Sequence, residues 1–365
     1  MLFNSKLFIL GFLPLALLGF RLSGRFARVW VLACSLVFYA WWRPAMVGLL
    51  AGSVLVNYTL GRVVPERQGW LVAGLAFNLG LLGFFKYAGL FFGITGIALP
   101  LGISFFTFQQ IMFLVDRASA ALAPVGLLDY ACFVGFFPHL IAGPIVRPGD
   151  IIPQFKALRP GPQFWRNVAA GGEIFALGLA KKLVLADGLA RFADPGFAAA
   201  AMGARLSLIE AWVALLAYAL QIYFDFSGYS DMAIGLAGMF GIRFPLNFNS
   251  PYQARDIGAF WRRWNISLSQ FLRDYLYIKL GGNRAGETRR VRNLMVTMLL
   301  GGLWHGAAWK FVLWGGLHGV YLVIYGWWER FGVRLPAKLA QATTLLAVCL
   351  AWVPFRAANF TAALV

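Results

Sequence analysis

The chain has 365 residues, of which 60% are hydrophobic, 16% aromatic and only 13% charged. A mean hydropathy of +0.71, sustained from the first residues to the last, excludes a soluble globular domain and makes lipid the solvent. The formal net charge of +18 does not point to nucleic acid, because the basic residues stand singly or in small groups between apolar runs.

A membrane helix needs about 20 apolar residues, or fewer where the bilayer thins. Candidate segments in chain order are 7–20, 29–42, 45–61, 70–92 and 97–115, then 125–145, 167–186, 207–224 and 227–242, and finally 293–304, 306–328 and 339–355. The first follows Lys6 and lacks a small-residue cleavage site, so it reads as a retained helix and not a signal peptide. Several others are short or carry Gly or Pro, which suits re-entrant or broken segments. The expectation is an all-α polytopic membrane protein of about nine to eleven crossings.

Loops 21–28 and 62–67 hold Arg21, Arg25, Arg28, Arg62 and Arg67, whereas the alternate loops hold Arg43 alone or no charge at all. That asymmetry places the N-terminus outside the cytoplasm. No repeat, linker or soluble insertion interrupts the chain, so residues 1–365 read as one membrane domain. The end, AANFTAALV, has no polar tail and reads as a stop at a membrane boundary or as a fragment. Cys34, Cys132 and Cys349 sit in separate apolar runs with no metal-ligand or disulfide spacing, and read as small buried hydrophobes.

A charged side chain at mid-membrane costs about 2.5 kcal/mol or more, so each one asks for a partner or a task. Three stretches concentrate such residues. In QIYFDFSGYSDMAIG (221–235), helical spacing pairs Asp225 with Tyr229 and Ser227 with Asp231. The two carboxylates fall on different faces, so they do not share a proton. They are either partnered by an arginine such as Arg262 or Arg263, or take part in chemistry.

In FWRRWNISLSQFLRDYLYIKLGGNR (260–284), Trp261, Trp264, Leu268, Phe271, Tyr275 and Ile278 follow one helical stripe. Asn265 borders that stripe, where an amide needs partners at both ends. It serves either a helix–helix hydrogen bond or a site. The loop that follows carries Arg284, Arg289, Arg290 and Arg292 against Glu287. Its Gly-Gly pair suits an anion-binding nest and its arginines suit phosphate, or the whole is an ordinary basic loop.

The third stretch, GGLWHGAAWKFVLWGGLHGVY (301–321), holds two of the three histidines, His305 and His318. They do not share a helical face, and with no carboxylate or thiol at ligand spacing no metal is expected. His305 stands among Gly301, Gly302 and Gly306 and between Trp304 and Trp309, which suits a walled cavity. A neutral imidazole there is a fitting general base for a hydroxyl.

Four motifs together, FFPHLIAGPIVRP (136–148), QIYFDFSGYSDMAIGLAGMFG (221–241), the run from Phe244 to Arg284 and GGLWHGAAWKFVLWGGLHG (301–319), resemble the membrane-bound O-acyltransferase family. Within it they are most similar to the bacterial branch that O-acetylates exopolysaccharides, typified by the alginate O-acetyltransferase membrane subunit. The resemblance implies a ring of helices around a funnel or tunnel, with shorter interfacial helices inside. It implies a cell inner membrane location with the N-terminus in the periplasm. It maps the catalytic histidine to His305 and the second polar site to Asn265, where relatives commonly read WRRWH and this chain reads WRRWN. Asn cannot take a proton, so its implied role is to orient or polarise the acyl carbonyl. His318, Asp225, Ser227, Tyr229, Asp231 and Trp304 fall to support or tunnel lining, and Arg284, Arg289, Arg290 and Arg292 to donor phosphates.

The implied donor is a cytoplasmic thioester, acetyl-CoA, used as substrate with no permanently bound cofactor. The implied partners are an exported polysaccharide, membrane lipid and a periplasmic acetyltransferase that completes the transfer. Relatives also continue beyond an AWVPFRA-like stretch, which implies further C-terminal helices. Two other readings stay open: a non-catalytic scaffold or transporter in polysaccharide export, and a D-alanyl or other acyl transferase acting on cell-wall polymers.

Overall fold

The computed structural model describes residues 1–284 and 286–364, and within them every regular element is helical. Five helical runs are long and apolar enough to cross a membrane: Phe8–Ala40, Ala45–Val63, Gly69–Phe92, Leu208–Met239 and Ala337–Arg356. The chain is thus an all-α polytopic membrane protein. Among the described residues fewer helices combine that length and hydropathy than the nine to eleven crossings expected: some apolar sequence lies in short helices, and the 22-residue Trp309–Arg330 is long enough but not apolar enough. By internal contacts it forms two compact units, Met1–Leu179 with Tyr229–Pro245, and Ala180–Gly228 with Leu246–Val365.

In the first unit, α1 (Leu13–Ser23) and α2 (Ala27–Ala40) form a hairpin that turns at Gly24, where φ is +52°. Gly19 leaves room for the Trp30 ring, whose indole donates to the Ala16 carbonyl at 2.8 Å. Helices α3 (Ala45–Val63), α4 (Gly69–Leu82) and α5 (Ile103–Ala118) are tied by a buried amide cluster. Asn57 donates to Gln110 at 2.8 Å, Asn78 donates to Asn57 at 2.6 Å, and Ser53 donates to Gln110 at 2.7 Å. In lipid, where apolar contact gives helices little reason to associate, such bonds supply about 0.6 kcal/mol each. His139 belongs here, beyond α6 (Leu127–Gly135), fully buried with its Nε2 against the Phe133 carbonyl at 2.9 Å. Helix α7 (Phe164–Ala180) meets the last turns of α9 (Leu208–Met239) at Gly171 and Gly235. A Cβ on either glycine would lie 2.5 Å from the other's carbonyl oxygen.

The second unit opens on a π-helical turn, Lys181–Ala186, and α8 (Asp187–Ala201), and takes in the earlier part of α9. The short helices α10 (Ile257–Trp261) and α11 (Ile266–Phe271) follow, then α12 (Glu287–His305), α13 (Trp309–Arg330) and α14 (Ala337–Arg356). Helices α12 and α13 form an antiparallel hairpin whose backbones touch. A Cβ added to Gly302 would collide with the Phe311 carbonyl oxygen and lie 3.1 Å from the Gly315 Cα. One added to Gly315 would collide with the Met298 carbonyl oxygen. Gly315 and Gly319 supply the small-xxx-small spacing that permits this approach.

Gly302→Ala and Gly315→Ala should each destabilise the protein by about 1–3 kcal/mol, the usual cost of overpacking a fixed backbone. Gly316→Ala, whose methyl meets only the Leu299 side chain at 3.5 Å, should be nearly neutral. Thermal unfolding in detergent distinguishes the two groups.

Candidate active site

The hairpin sets the site. His305 is the last residue of α12, and the extended backbone of Gly306 turns the chain at once toward α13. Gly306 has no alternative, since a Cβ there would fall on the Phe311 ring. The turn brings His305 against Trp314, one turn and a half into α13, at 4.9 Å between ring centres and 84° between planes. Trp304 at 4.9 Å and Phe355 of α14 at 5.3 Å complete the aromatic surround. Of the three histidines, His139 and His318 are fully buried, and His305 alone is partly exposed.

His318 also packs on Trp314, 4.8 Å from it. One indole therefore touches both imidazoles, which the sequence spacing on a single helix would have held apart. Phe260, Trp261, Tyr321 and Trp352 close around the His318 ring. Neither nitrogen of His318 has a hydrogen-bond partner, and the indole N–H groups of Trp261 and Trp314 also have none among the described residues. Leaving a buried donor unmade costs about 1–3 kcal/mol, and three such side chains in mutual contact mark a site and not a settled core.

The stripe from Trp261 to Ile278 is not one helix. It breaks after Trp261, and Asn265 takes the left-handed conformation, φ +41° and ψ +57°. Among non-glycine residues Asn, Asp and His tolerate that region best. Asn247 does the capping of α11, accepting from the Ile266 and Ser267 amides at 2.9 and 3.0 Å and from the Ser267 hydroxyl at 2.8 Å. This leaves the Asn265 amide uncommitted: the residue is 3% exposed and its Nδ2 has no partner. Its neighbour Trp264 packs on Trp352, and Trp352 stacks on Trp314. Asn247 carried no signal in the sequence beyond its polarity.

The carboxylates of the 221–235 stretch serve elsewhere. Asp225 pairs with Lys182 at 2.7 Å, which also holds Asp187 at 2.9 Å. Neither Arg262 nor Arg263 is its partner, and Arg262 turns instead to Asp256 at 3.7 Å. Ser227 is buried with its hydroxyl unpartnered, so the expected bond to Asp231 is not made through it. Tyr229 and Asp231 lie in the first unit, where Tyr229 stacks on Phe3 at 5.0 Å.

The anion nest is also corrected. The Gly282 amide closes on the Tyr277 carbonyl and the Gly281 amide on Ile278, so both are spent ending the preceding π-helical turn. Arg289, Arg290 and Arg292 lie within α12 itself. Arg290 is committed to Glu287 and Arg292 to Asn293, whereas Arg284 and Arg289 remain exposed. Beside the same end of the hairpin is a cavity of about 860 Å³, lined by the basic Arg255 and Arg334, the acidic Asp256 and Glu329, and aromatic residues including Tyr325 and Trp328. No described carboxylate pairs with either arginine, and Tyr321 reaches from this cavity to the His318 ring at 5.8 Å. Among the described residues, no three His, Cys, Asp or Glu side chains form a group able to hold a metal.

A helical membrane protein whose partly exposed histidine stands at a glycine-built hairpin tip, walled by indoles, has the parts of an acyl-transfer site. The chain belongs to the membrane-bound O-acyltransferase family, whose model matches residues 30–357. It is 43% identical, over all of its own length and 78% of the relative's, to the peptidoglycan O-acetyltransferase of Helicobacter pylori. It is also 43% identical to the probable alginate O-acetylase AlgI of Pseudomonas aeruginosa, covering all of this chain and 73% of that one. The teichoic acid D-alanyltransferase of Streptococcus thermophilus is more distant, 29% identical over 63% of this chain and 57% of its own.

Glu287, which lies in none of the five runs long and apolar enough to cross a membrane, clamps the far end of the hairpin. Arg290, with Arg330 and the Trp327 indole, holds its carboxyl down at about 2, against an ordinary value of 4.5. Because the folded value is depressed, the clamp is complete above pH 4.5 and is lost as pH falls through about 2. Glu287→Gln should flatten the pH dependence of thermal stability across that interval and lower thermal stability near neutrality, where the clamp is complete.

Proposed function

We propose that the chain catalyses transfer of an acetyl group from a cytoplasmic thioester, acetyl-CoA, toward hydroxyls of an exported polysaccharide. The observation that carries this is His305, the partly exposed imidazole at the hairpin tip against Trp314, in a chain 43% identical to proteins named O-acetyltransferase and O-acetylase. As the acceptor oxygen bonds the carbonyl carbon, His305 takes its proton. The carbon–sulfur bond breaks, and the departing thiolate takes that proton back, leaving an ester and a thiol. Asn265, buried with a free Nδ2, is assigned to orient the acyl carbonyl.

The donor enters by the cavity beside α13. Its two uncommitted arginines, Arg255 and Arg334, suit phosphates, and Trp328 and Tyr325 offer flat surfaces for a purine. Of the four arginines read from the sequence, Arg284 and Arg289 stay available for the same anion, while Arg290 and Arg292 are occupied. The location that fits is the bacterial inner membrane with the N-terminus in the periplasm, where a separate acetyltransferase completes the modification.

Mass spectrometry of cell-surface polysaccharide tests this. A His305→Ala strain should lose O-acetyl groups while polymer export continues and the variant accumulates in the membrane. Full acetylation in that strain would overturn the assignment. Loss of export along with acetylation would favour a scaffold or transporter. Asn265→Ala should lower acetylation by 10²–10³-fold at most, the usual worth of one carbonyl-binding donor. Asn265→Val should lower stability as well, because a β-branched residue resists φ of +41°.

A further inference from the structure

Acyl transfer from a thioester builds negative charge on the carbonyl oxygen, and a donor fixed beside the general base stabilises it without reorganisation. We infer that the Trp314 indole N–H donates a hydrogen bond to the thioester carbonyl oxygen during the transfer. This rests on the reading of His305 as the base.

Three observations meet at this residue. Its ring is in direct contact with His305, 4.9 Å between ring centres. Its Nε1–H is buried and unpartnered among the described residues, although Trp352, stacked on it at 5.6 Å, has its own N–H on the Tyr252 hydroxyl at 3.2 Å. Trp314 is also held on all sides, by Trp261 at 5.7 Å, His318 at 4.8 Å and Phe355 at 5.2 Å. A donor locked in this way is already oriented when the oxygen arrives. Gly315, the next residue, fixes its height on α13 through the backbone contact with α12.

The chemistry balances with one hydrogen bond added. As the acceptor oxygen bonds the carbonyl carbon and its proton passes to His305, the carbonyl electron pair moves onto oxygen, and Trp314 holds that oxyanion. When the carbonyl re-forms, the carbon–sulfur bond breaks, the thiolate leaves with the proton from His305, and the indole keeps its own hydrogen throughout. Trp314 thus touches the reacting atoms and removes no proton.

The test measures thiol release from acetyl-CoA in membrane vesicles from a strain lacking the native copy, using polysaccharide extracted from a His305→Ala strain as acceptor. Trp314→Phe should lower kcat by about 10²-fold or more, with KM for acetyl-CoA changed less than about threefold. Replacing Trp314 with benzothienylalanine, which keeps the ring volume and lacks only the N–H, should give the same loss. Trp352→Phe should lower kcat far less. Retention of kcat by the benzothienyl variant, or an equal fall in Trp352→Phe, would overturn the inference. His305→Ala in the same assay separates this from failure of the base assignment: if that variant stays active, the reading of the site itself falls.

Discussion

Helices α12 and α13 approach so closely at Gly302 and Gly315 that the backbone of one occupies the place where the other's side chain would be. In lipid there is little hydrophobic gain from bringing two apolar helices together, so close backbone packing has to supply much of the attraction. The geometry of the site follows from it. With the helices in contact, the turn through Gly306 is short, and the last side chain of α12 is placed directly on the second turn of α13. His305 meets Trp314, and His318 meets the same indole. At the other end, the Glu287 carboxylate bound by Arg290 and Arg330 fixes the register. The hairpin is thus held by steric fit at the tip and by ion pairs at the base.

This arrangement tolerates polar groups that an ordinary core would not leave unsatisfied. His318, Trp261 and Trp314 keep unpartnered nitrogens within touching distance of one another. Asn265 keeps a free amide because Asn247 has taken over the capping of α11.

What the sequence made legible was the helical membrane class and the family, and its glycine and tryptophan neighbours singled out His305, which the structure places at the hairpin tip against Trp314. The apolar stripe through 261–278 misled, because its spacing continues across the break at Asn265 and periodicity does not register a single left-handed residue. Asn itself was the available signal, since it is among the few side chains that accept that conformation. The partner of Asp225 was not recoverable, because Lys182 is distant in sequence and brought near only by the packing of the second unit. Likewise the Gly281–Gly282 pair reads equally as a nest or as a helix end, and only the bonds to Tyr277 and Ile278 decide. Nothing in the apolar run singled out Trp314, which is marked only by its unpartnered N–H and its contact with His305.

The central claim is that the hairpin presents one imidazole for chemistry and buries the rest. Modification by diethyl pyrocarbonate, mapped by mass spectrometry on the folded protein in detergent, reads this directly because the chain has only 3 histidines. The expected result is rapid modification of His305, slowed by acetyl-CoA, with His139 and His318 protected until the protein unfolds. Modification of His318 as fast as His305, or protection of all three, would contradict it.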